Sequence, residues 1–154
     1  MPMKISDFLS DRDVLVGVAT SDKAQLLRQL STHAAKELGL DPKSVSEPVE
    51  RREALGSTGV GNGVALPHAR VPNLKKPFGL LARLRHSIDF QAVDDQPVDI
   101  VFMLLIPEAA DSTQLNVLAC VARRLRDAET LRDVRRAADR ESLFEAVAQP
   151  SVAS

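Results

Sequence analysis

The sequence predicts an α/β fold in which a mixed β-sheet carries helices on both faces, an α/β sandwich. Segments with helical periodicity lie at both ends of the chain, and short β-rich runs lie between them. One of these runs, Val98–Pro107, is apolar almost throughout, which is typical of a central strand buried on both faces. The chain has 154 residues, so we expect one domain over 1–154, with a flexible tail from about residue 150.

The first elements are predicted to be a strand and an amphipathic helix. A β-rich run over 13–19 ends in Thr20, Ser21 and Asp22, a polar segment that offers an N-cap to the helix. Gly39 supplies the stop at the other end of the helix. The apolar residues of this helix recur at a spacing of three and four along the chain: Ala24, Leu26, Leu27, Leu30, Ala34, Ala35 and Leu38.

A second helix is predicted over 41–55, followed by a loop over 56–63. Pro48 is expected either to kink this helix or to restart it with Ser46 as the cap. The strands that follow are predicted at Val64–Pro67, Phe78–Arg85 and Val98–Pro107.

The carboxyl-terminal part is predicted to be helical. A first helix begins at Ser112 and carries an apolar stripe at helical spacing. Two shorter helices follow at about 129–137 and 140–148, the last of which places Leu143, Phe144 and Val147 inward. The stripe of the first helix consists of Leu115, Leu118, Ala119, Ala122 and Leu125.

Composition excludes several classes of function. The chain has 20 Lys and Arg against 21 Asp and Glu, so its formal net charge of −1 gives no basic field for a nucleic acid. It has neither Trp nor Tyr for base stacking. Cys120 is the only cysteine, so no internal disulfide is expected, and no apolar run approaches the length of a membrane span. We therefore expect a cytoplasmic protein that neither inserts into membranes nor binds nucleic acid.

The predicted loop 56–63 is unusually rich in glycine, since it holds four of the seven glycines of the chain. Such a loop can direct successive backbone N–H groups at an anion, or it can be a plain flexible connector. Nucleotide-binding loops fit poorly. Gly56 and Gly61 have the Walker spacing, but Asn62 and Gly63 stand where Lys and Ser or Thr are needed, and the dinucleotide fingerprint fails as well.

The chain has three histidines, and one of them stands out. His33 lies within the first helix and is expected at the surface or its boundary. His86 follows a predicted strand and is expected in an exposed turn. His68 differs, because Pro67 fixes the backbone before it and the glycine-rich loop ends a few residues upstream.

Other catalytic arrangements find little support. Ser57 lacks the Gly-x-Ser-x-Gly context of a nucleophilic serine. His and Cys residues do not occur at metal-binding spacing, so we expect no metal site and no cofactor. What remains is a histidine that is itself the nucleophile, with the loop and an arginine neutralising the charge of the group it accepts.

The segment from Arg52 to Ala69, REALGSTGVGNGVALPHA, resembles the signature of the IIA domains of the bacterial phosphotransferase system, of the fructose/mannitol type. It is most similar to the nitrogen-regulatory branch of that family. The order of helices and strands, the segment 96–99 and the segment 118–125 are similar too, so the resemblance covers nearly the whole chain.

The resemblance implies a phosphoryl relay. In that family the histidine of the Pro-His step accepts a phosphoryl group on Nε2 from an HPr-type phosphocarrier protein, and the arginine at the start of the motif contacts the phosphate. His68 and Arg52 occupy those positions. An arginine on a helix surface, paired with Glu50 or Glu53, is the alternative for Arg52. The predicted phosphate-binding residues of the loop are Thr58, Gly59, Gly61, Asn62 and Gly63.

One departure from the family pattern concerns a second histidine. Many members carry it at the start of the helix after the apolar strand, where this chain has Gln114 and Asn116. An amide can hydrogen-bond a phosphate or orient His68, but it carries neither positive charge nor a labile proton. Gln114 and Asn116 are therefore predicted as residues that support the site, and transfer to a sugar-specific partner is the activity that this departure puts in doubt.

The leading hypothesis is a stand-alone phosphoryl carrier of the nitrogen-regulatory type, a phosphotransferase component that signals to unidentified target proteins through its phosphorylation state. A sugar-transport IIA subunit, which passes phosphate to a IIB partner, is the first alternative. A binding module that keeps the fold without being phosphorylated is the second.

Overall fold

The structure is a computed structural model that describes residues 3–110 and 112–148, without the side chains of 112–115. Within these residues a mixed sheet lies between two layers of helices, as predicted. The tail predicted from about residue 150 lies outside the described residues. Six strands and five α-helices occur in the described part, in this order: β1 (Val14–Val18), α1 (Lys23–Leu38), α2 (Pro42–Ala54), β2 (Gly59–Gly61), β3 (Val64–Ala65), β4 (His68–Val71), β5 (Phe78–Ile88), β6 (Val98–Pro107), α3 (Ser112–Arg126), α4 (Ala128–Arg136) and α5 (Arg140–Ala148).

The sheet is built around β6. On one side β6 pairs antiparallel with β5, and β5 pairs parallel with β1. On the other side β6 pairs parallel with two short strands in succession, β3 at Ile100 and Val101 and β4 from Leu104 to Pro107. The sheet order is β1-β5-β6-β3-β2, with β4 on the same side of β6 as β3. The prediction of a central strand at Val98–Pro107 is confirmed.

The core has two halves because β6 is buried on both faces. Val101, Met103 and Leu105 pack into the half covered by α1 and α2. The residues between them, such as Phe102 and Leu104, pack into the half that includes residues of α3, α4 and α5. A strand buried on both faces has no polar alternation, which explains the continuous apolar run in the sequence.

The first helix begins and ends as its sequence predicts. The Asp22 carboxylate accepts a hydrogen bond from the Gln25 backbone N–H at 2.8 Å, and Gly39 ends the helix with φ of 68°. Helix α2 contains Pro48 and continues through it without a new cap at Ser46. Val45 and Val49 are both fully buried on either side of Pro48, and this packing holds the helix in one piece.

Three local predictions were wrong in detail. Part of the predicted loop 56–63 is strand β2, which pairs with β3. His68 lies in strand β4, which the sequence did not predict because the run is only four residues long and follows a proline. Strand β5 continues beyond Arg85 to Ile88, so His86 is an exposed residue of a strand and not of a turn. Residues 85–87 of β5 are polar, so the apolar pattern that predicted this strand ended at Arg85.

Candidate functional site

The histidine cleft is an open cavity of about 510 Å³ at the edge of the sheet, between α2 and α3. Helix α2 provides one wall, with residues spaced so that they share one face, and the edge strand β4 provides the floor. Ile106 and Leu118 give the remaining wall an apolar character. The residues that line the cleft are Pro48, Arg51, Arg52, Leu55, His68, Ala69, Arg70, Ile106 and Leu118.

Strand β4 presents His68 to this cleft. Its alternate residues Ala69 and Val71 are buried in the core under α1 and α2, so His68 and Arg70 share the opposite face. The strand is paired with β6 from His68 onwards, and Leu104 donates a backbone hydrogen bond to the carbonyl of Pro67 at 2.9 Å. The histidine is therefore fixed by a buried strand on one side and is half-buried itself.

A backbone hydrogen bond determines the tautomer of His68. Its Nδ1 lies 2.8 Å from the carbonyl oxygen of Leu66. A carbonyl oxygen only accepts, so Nδ1 carries the proton, and in the neutral ring the lone pair resides on Nε2. The side chain thus offers one defined nucleophilic nitrogen.

Arg52 lies in the last turn of α2, where its guanidinium Nη1 donates to the carbonyl of Gly56 at 2.9 Å. This bond leaves the other guanidinium nitrogens for a ligand. Glu53, one of the two partners considered for a purely structural Arg52, is occupied by Lys23, with 2.9 Å between Nζ and Oε2. Among the described residues no carboxylate lies within ion-pair distance of Arg52.

The buried Glu53 ties the start of the glycine-rich loop to α2. It accepts hydrogen bonds from the backbone N–H of Thr58, at 2.8 Å, and from the Thr58 hydroxyl. Lys23 also lies over the Phe90 ring, 4.6 Å from its centroid. Thr58, which is 4% exposed, therefore points at Glu53 and not into the histidine cleft.

The rest of the loop lies away from the histidine. Gly61 pairs with Val64, which is level with Ile100 of β6, whereas His68 is level with Leu104. Four residues along a strand correspond to roughly 13 Å. The structure thus separates Gly59, Gly61, Asn62 and Gly63 from His68, and none of them lines the cleft around it. Asn62 and Gly63 contact α4 and β6 instead, since Arg135 Nη2 donates to the Asn62 carbonyl at 2.6 Å and the Asp99 N–H donates to the Gly63 carbonyl at 3.0 Å. Gly59 and Gly61 lie beside Ala92 and Asp94.

The two amides predicted to support the site remain without a structural test. The side chain of Gln114 lies outside the described residues. Asn116 is an exposed residue of α3, and the described residue of that helix that reaches the cleft is Leu118.

Two further arginines line the cleft, and neither was predicted as a site residue. Arg51 precedes Arg52 on the same wall of α2, and Arg70 follows His68 by two residues on β4. The alternation of a strand is the signal for Arg70, but that strand was not predicted. The cleft therefore brings three arginines around one imidazole.

A group of possible metal ligands occurs elsewhere. Asp13, His33 and Glu37 each offer a ligand atom within 4.8 Å of the others, and His33 Nε2 lies 3.3 Å from a carboxylate oxygen of Asp13. A search for His and Cys spacing alone does not find this group, since two of its members are carboxylates. His33 itself is half-buried, at the boundary of the surface as predicted.

The sequence matches the family described as "Phosphoenolpyruvate-dependent sugar phosphotransferase system, EIIA 2" over residues 7–149. The chain belongs to this family. It is 41% identical to the nitrogen regulatory protein of Bradyrhizobium diazoefficiens over 148 residues, which cover 96% of this chain and 97% of that protein. The nitrogen regulatory protein of Escherichia coli K12 is 36% identical over 94% of this chain and 90% of its own length.

A solved structure of another family member supports the fold. The crystal structure of the nitrogen regulatory protein IIA-Ntr from Neisseria meningitidis matches with a TM-score of 0.87 and 29% identity, over 93% of this chain and 98% of that one. The resemblance of this IIA chain to the nitrogen-regulatory branch, inferred from residues 52–69, is thus confirmed. No helix in the described part of the chain is both long and apolar enough to cross a membrane.

Proposed function

We propose that this IIA chain is a phosphoryl-carrier regulatory protein, in which His68 accepts a phosphoryl group from an HPr-type phosphocarrier and the phosphorylation state is the signal. The observation that carries the proposal is the hydrogen bond from Nδ1 to the Leu66 carbonyl, because it reserves Nε2 as the nucleophile of a side chain that lines an arginine-rich cleft. A cytoplasmic location follows from the same proposal, since the donor is a cytoplasmic carrier.

The transfer itself needs no cofactor. The Nε2 lone pair of His68 attacks the phosphorus of the donor phosphohistidine. The new N–P bond forms as the N–P bond of the donor breaks, and the electron pair of the broken bond returns to the donor imidazole. Nδ1 keeps its proton throughout, so the phosphorylated ring is cationic and the Leu66 carbonyl dipole stabilises it.

The arginines act on the charge of the transferred group. Phosphoryl transfer spreads negative charge over the oxygens in flight, and a planar guanidinium can hold two of them. Arg52 is held at one nitrogen by the Gly56 carbonyl, which leaves its fork oriented for a ligand. Leu55, Ile106 and Leu118 give the cleft an apolar lining beside the transferred group.

The two relatives reported above favour a regulatory role over a role in sugar transport. Both are nitrogen regulatory proteins, and both match along almost their whole lengths. The attached phosphoryl group carries close to two negative charges beside a cationic ring, so phosphorylation makes the formal net charge of −1 more negative by about one unit. The change is local to the histidine cleft. A target that docks there through acidic or apolar groups binds the unphosphorylated form better.

The test is the intact mass of the protein after incubation with phosphoenolpyruvate and the purified phosphotransferase cascade. We expect one phosphoryl group that is stable in base and labile in acid, as a phosphoramidate is. His68→Ala should abolish it completely while the thermal unfolding transition is kept, and His86→Ala is the matched control because His86 is exposed and distant in the fold.

The same assay separates the alternatives. Phosphate that persists in His68→Ala would contradict the proposed acceptor. No phosphate on the unmodified protein would favour the binding module that regulates by contact alone. Rapid transfer onward to an added IIB protein would favour the sugar-transport subunit.

A further inference from the structure

We propose that a second cleft, at the opposite end of β6 from His68, binds a small polyphosphate anion. This arginine cleft has a volume of about 430 Å³ and is formed by the end of α3, one face of α4 and the turn between β2 and β3. Its volume is within the range of small-molecule sites. The residues that line it are Asn62, Arg126, Ala128, Leu131, Arg132, Arg135 and Arg136.

One of the four arginines is fixed by the protein itself. Arg135 donates from Nε and Nη2 to the two carboxylate oxygens of Asp99, at 3.1 and 2.9 Å, and from Nη2 to the Asn62 carbonyl. These bonds join α4 to the start of β6 and to the glycine-rich turn. They give the cleft a rigid base and neutralise one of its four positive charges.

The other three arginines concentrate positive charge and are not directly paired, although Asp127 attracts Arg132 from a longer distance. Arg126, Arg132 and Arg136 are exposed, and within residues 3–110 and 112–148 no carboxylate lies within ion-pair distance of any of them. Arg132 and Arg136 are also one helical turn apart on α4, a spacing at which like charges repel. A bound anion relieves this repulsion, so the arrangement favours a ligand with several negative charges.

The geometry favours a polyphosphate over an acidic peptide. The charges are gathered in one pocket and not strung along a groove, and Arg132 and Arg136 are separated by about one helical pitch of ~5.4 Å. A chain of two or three phosphates concentrates its charge over a similar length. Guanidinium groups bind phosphate oxygens with two parallel hydrogen bonds, which a Lys cannot do.

The last part of the glycine-rich segment, residues 61–63, lies beside this cleft and not beside His68, and the Asn62 backbone N–H donates to the Asp94 carboxylate at 3.1 Å. Asn62 lies in the turn at φ of 58°, between Gly61 and Gly63, which also have positive φ. A Cβ at Gly63 would lie 2.5 Å from Arg135 Nη2, so any other residue here would displace the arginine from its present position. The inference therefore accounts for a motif that the proposed relay at His68 leaves unexplained.

The experiment is isothermal titration of the whole protein with sodium tripolyphosphate at low ionic strength. We expect saturable binding of one anion, weakened by added salt because the contacts are charged and exposed. Arg132→Gln and Arg136→Gln should each raise the dissociation constant by about tenfold, the loss of one charge-assisted contact. Arg28→Gln, which removes an exposed arginine from α1, is the matched control and should change it by less than about twofold.

A second set of titrations locates the site and identifies its ligand. Binding must persist in His68→Ala and Arg52→Ala, and phosphoryl transfer must be normal in Arg132→Gln, so that this inference and the proposed relay fail or succeed separately. Loss of tripolyphosphate binding in Arg52→Ala would place the anion in the histidine cleft and overturn the proposal. The absence of binding, or hexaglutamate binding as tightly as tripolyphosphate, would overturn it as well, the latter in favour of an acidic protein partner. ATP that binds at least as tightly as tripolyphosphate would support it and indicate a nucleotide as the source of the phosphates.

Discussion

The two clefts lie at opposite ends of β6, and Asp99 at the arginine cleft is five residues, or about 17 Å, from Leu104 beside His68. They differ in the residues that accompany their arginines. The histidine cleft contains Arg51, Arg52 and Arg70 around one imidazole, with apolar walls. The arginine cleft contains four arginines and has no nucleophile among its lining residues in the described part of the chain. Positive charge is therefore common to both, and it cannot by itself distinguish a site of transfer from a site of binding.

The two clefts differ in how rigidly their functional side chains are positioned. His68 sits on a strand paired with β6, and its tautomer is set by a backbone carbonyl. In the second cleft Arg135 is held by Asp99, whereas Arg126 at the end of α3 and Arg132 and Arg136 on α4 are exposed side chains with many rotamers that adapt to a ligand. A nucleophile must be positioned before the reaction, whereas a charged surface can adjust upon binding.

The largest expected effect is that of Arg52→Ala on phosphoryl transfer. Loss of a guanidinium that holds the transferred group should slow transfer by about 10–1,000-fold, or about 1.4–4 kcal/mol in activation free energy. Arg52→Lys should restore part of the rate, because a single ammonium cannot reproduce the fork. The rate is measured by rapid quench with the phosphorylated carrier protein.

The adjacent Arg51→Ala is the control for charge in the same cleft. Arg51 is exposed on α2, without the bond to Gly56 that orients Arg52, and its loss should cost less. Equal effects of the two substitutions would mean that the cleft acts through its overall field and not through one positioned group.

The periodicity of the sequence predicted most helices and strands, but it predicted fewer of the residues that line the histidine cleft. Asp22, Gly39 and the apolar run of β6 are local signals, and each element that they bound was predicted correctly. The position of the glycine-rich turn was not predictable in this way, because it depends on the register of β3 and β4 on β6. Thr58 was expected to bind the phosphate because its sequence neighbours suggested an anion loop. In the structure it donates hydrogen bonds to Glu53, five residues earlier.

The next effect in size concerns Glu53, which anchors the start of that turn. Glu53→Gln leaves Lys23 without its ion-pair partner and weakens both bonds from Thr58. We expect a loss of about 2–3 kcal/mol in the free energy of unfolding, below the cost of a fully buried pair because Lys23 keeps some exposure to water. Urea unfolding measures it, and Glu50→Gln, at an exposed position on the same helix, should stay within about 0.5 kcal/mol of the unmodified protein.

A smaller effect is expected for Gly63→Ala in the other region. The residue has φ of 79°, and the added Cβ would lie 2.5 Å from Arg135 Nη2 and 2.8 Å from Asp99 Oδ1. We expect a loss of about 1–2 kcal/mol in the free energy of unfolding, together with weaker tripolyphosphate binding and normal transfer at His68. Gly39→Ala, where φ is 68° and no atom lies within 4 Å of the added Cβ, isolates the backbone strain. If Gly63→Ala slowed transfer as well, the two clefts would be coupled and the contrast between them would fail.

The smallest effect is a pH dependence that belongs to α4 and not to the histidine cleft. Asp127 caps this helix, and hydrogen bonds from the Thr130 hydroxyl and then from its backbone N–H lower the pKa of the Asp127 carboxyl. A carboxyl whose pKa is lower in the folded state stabilises the fold above its unfolded pKa of about 3.9, and this contribution is lost as the pH falls through the folded value. Asp127→Asn keeps an oxygen that can cap the helix but does not titrate. The melting temperature of the unmodified protein should therefore exceed that of Asp127→Asn slightly at neutral pH, and the difference should shrink progressively as the pH falls below about 4. A difference that stayed constant over this range would mean that the carboxylate contributes through geometry alone, and that α4 is not held in place by the charge at its amino end.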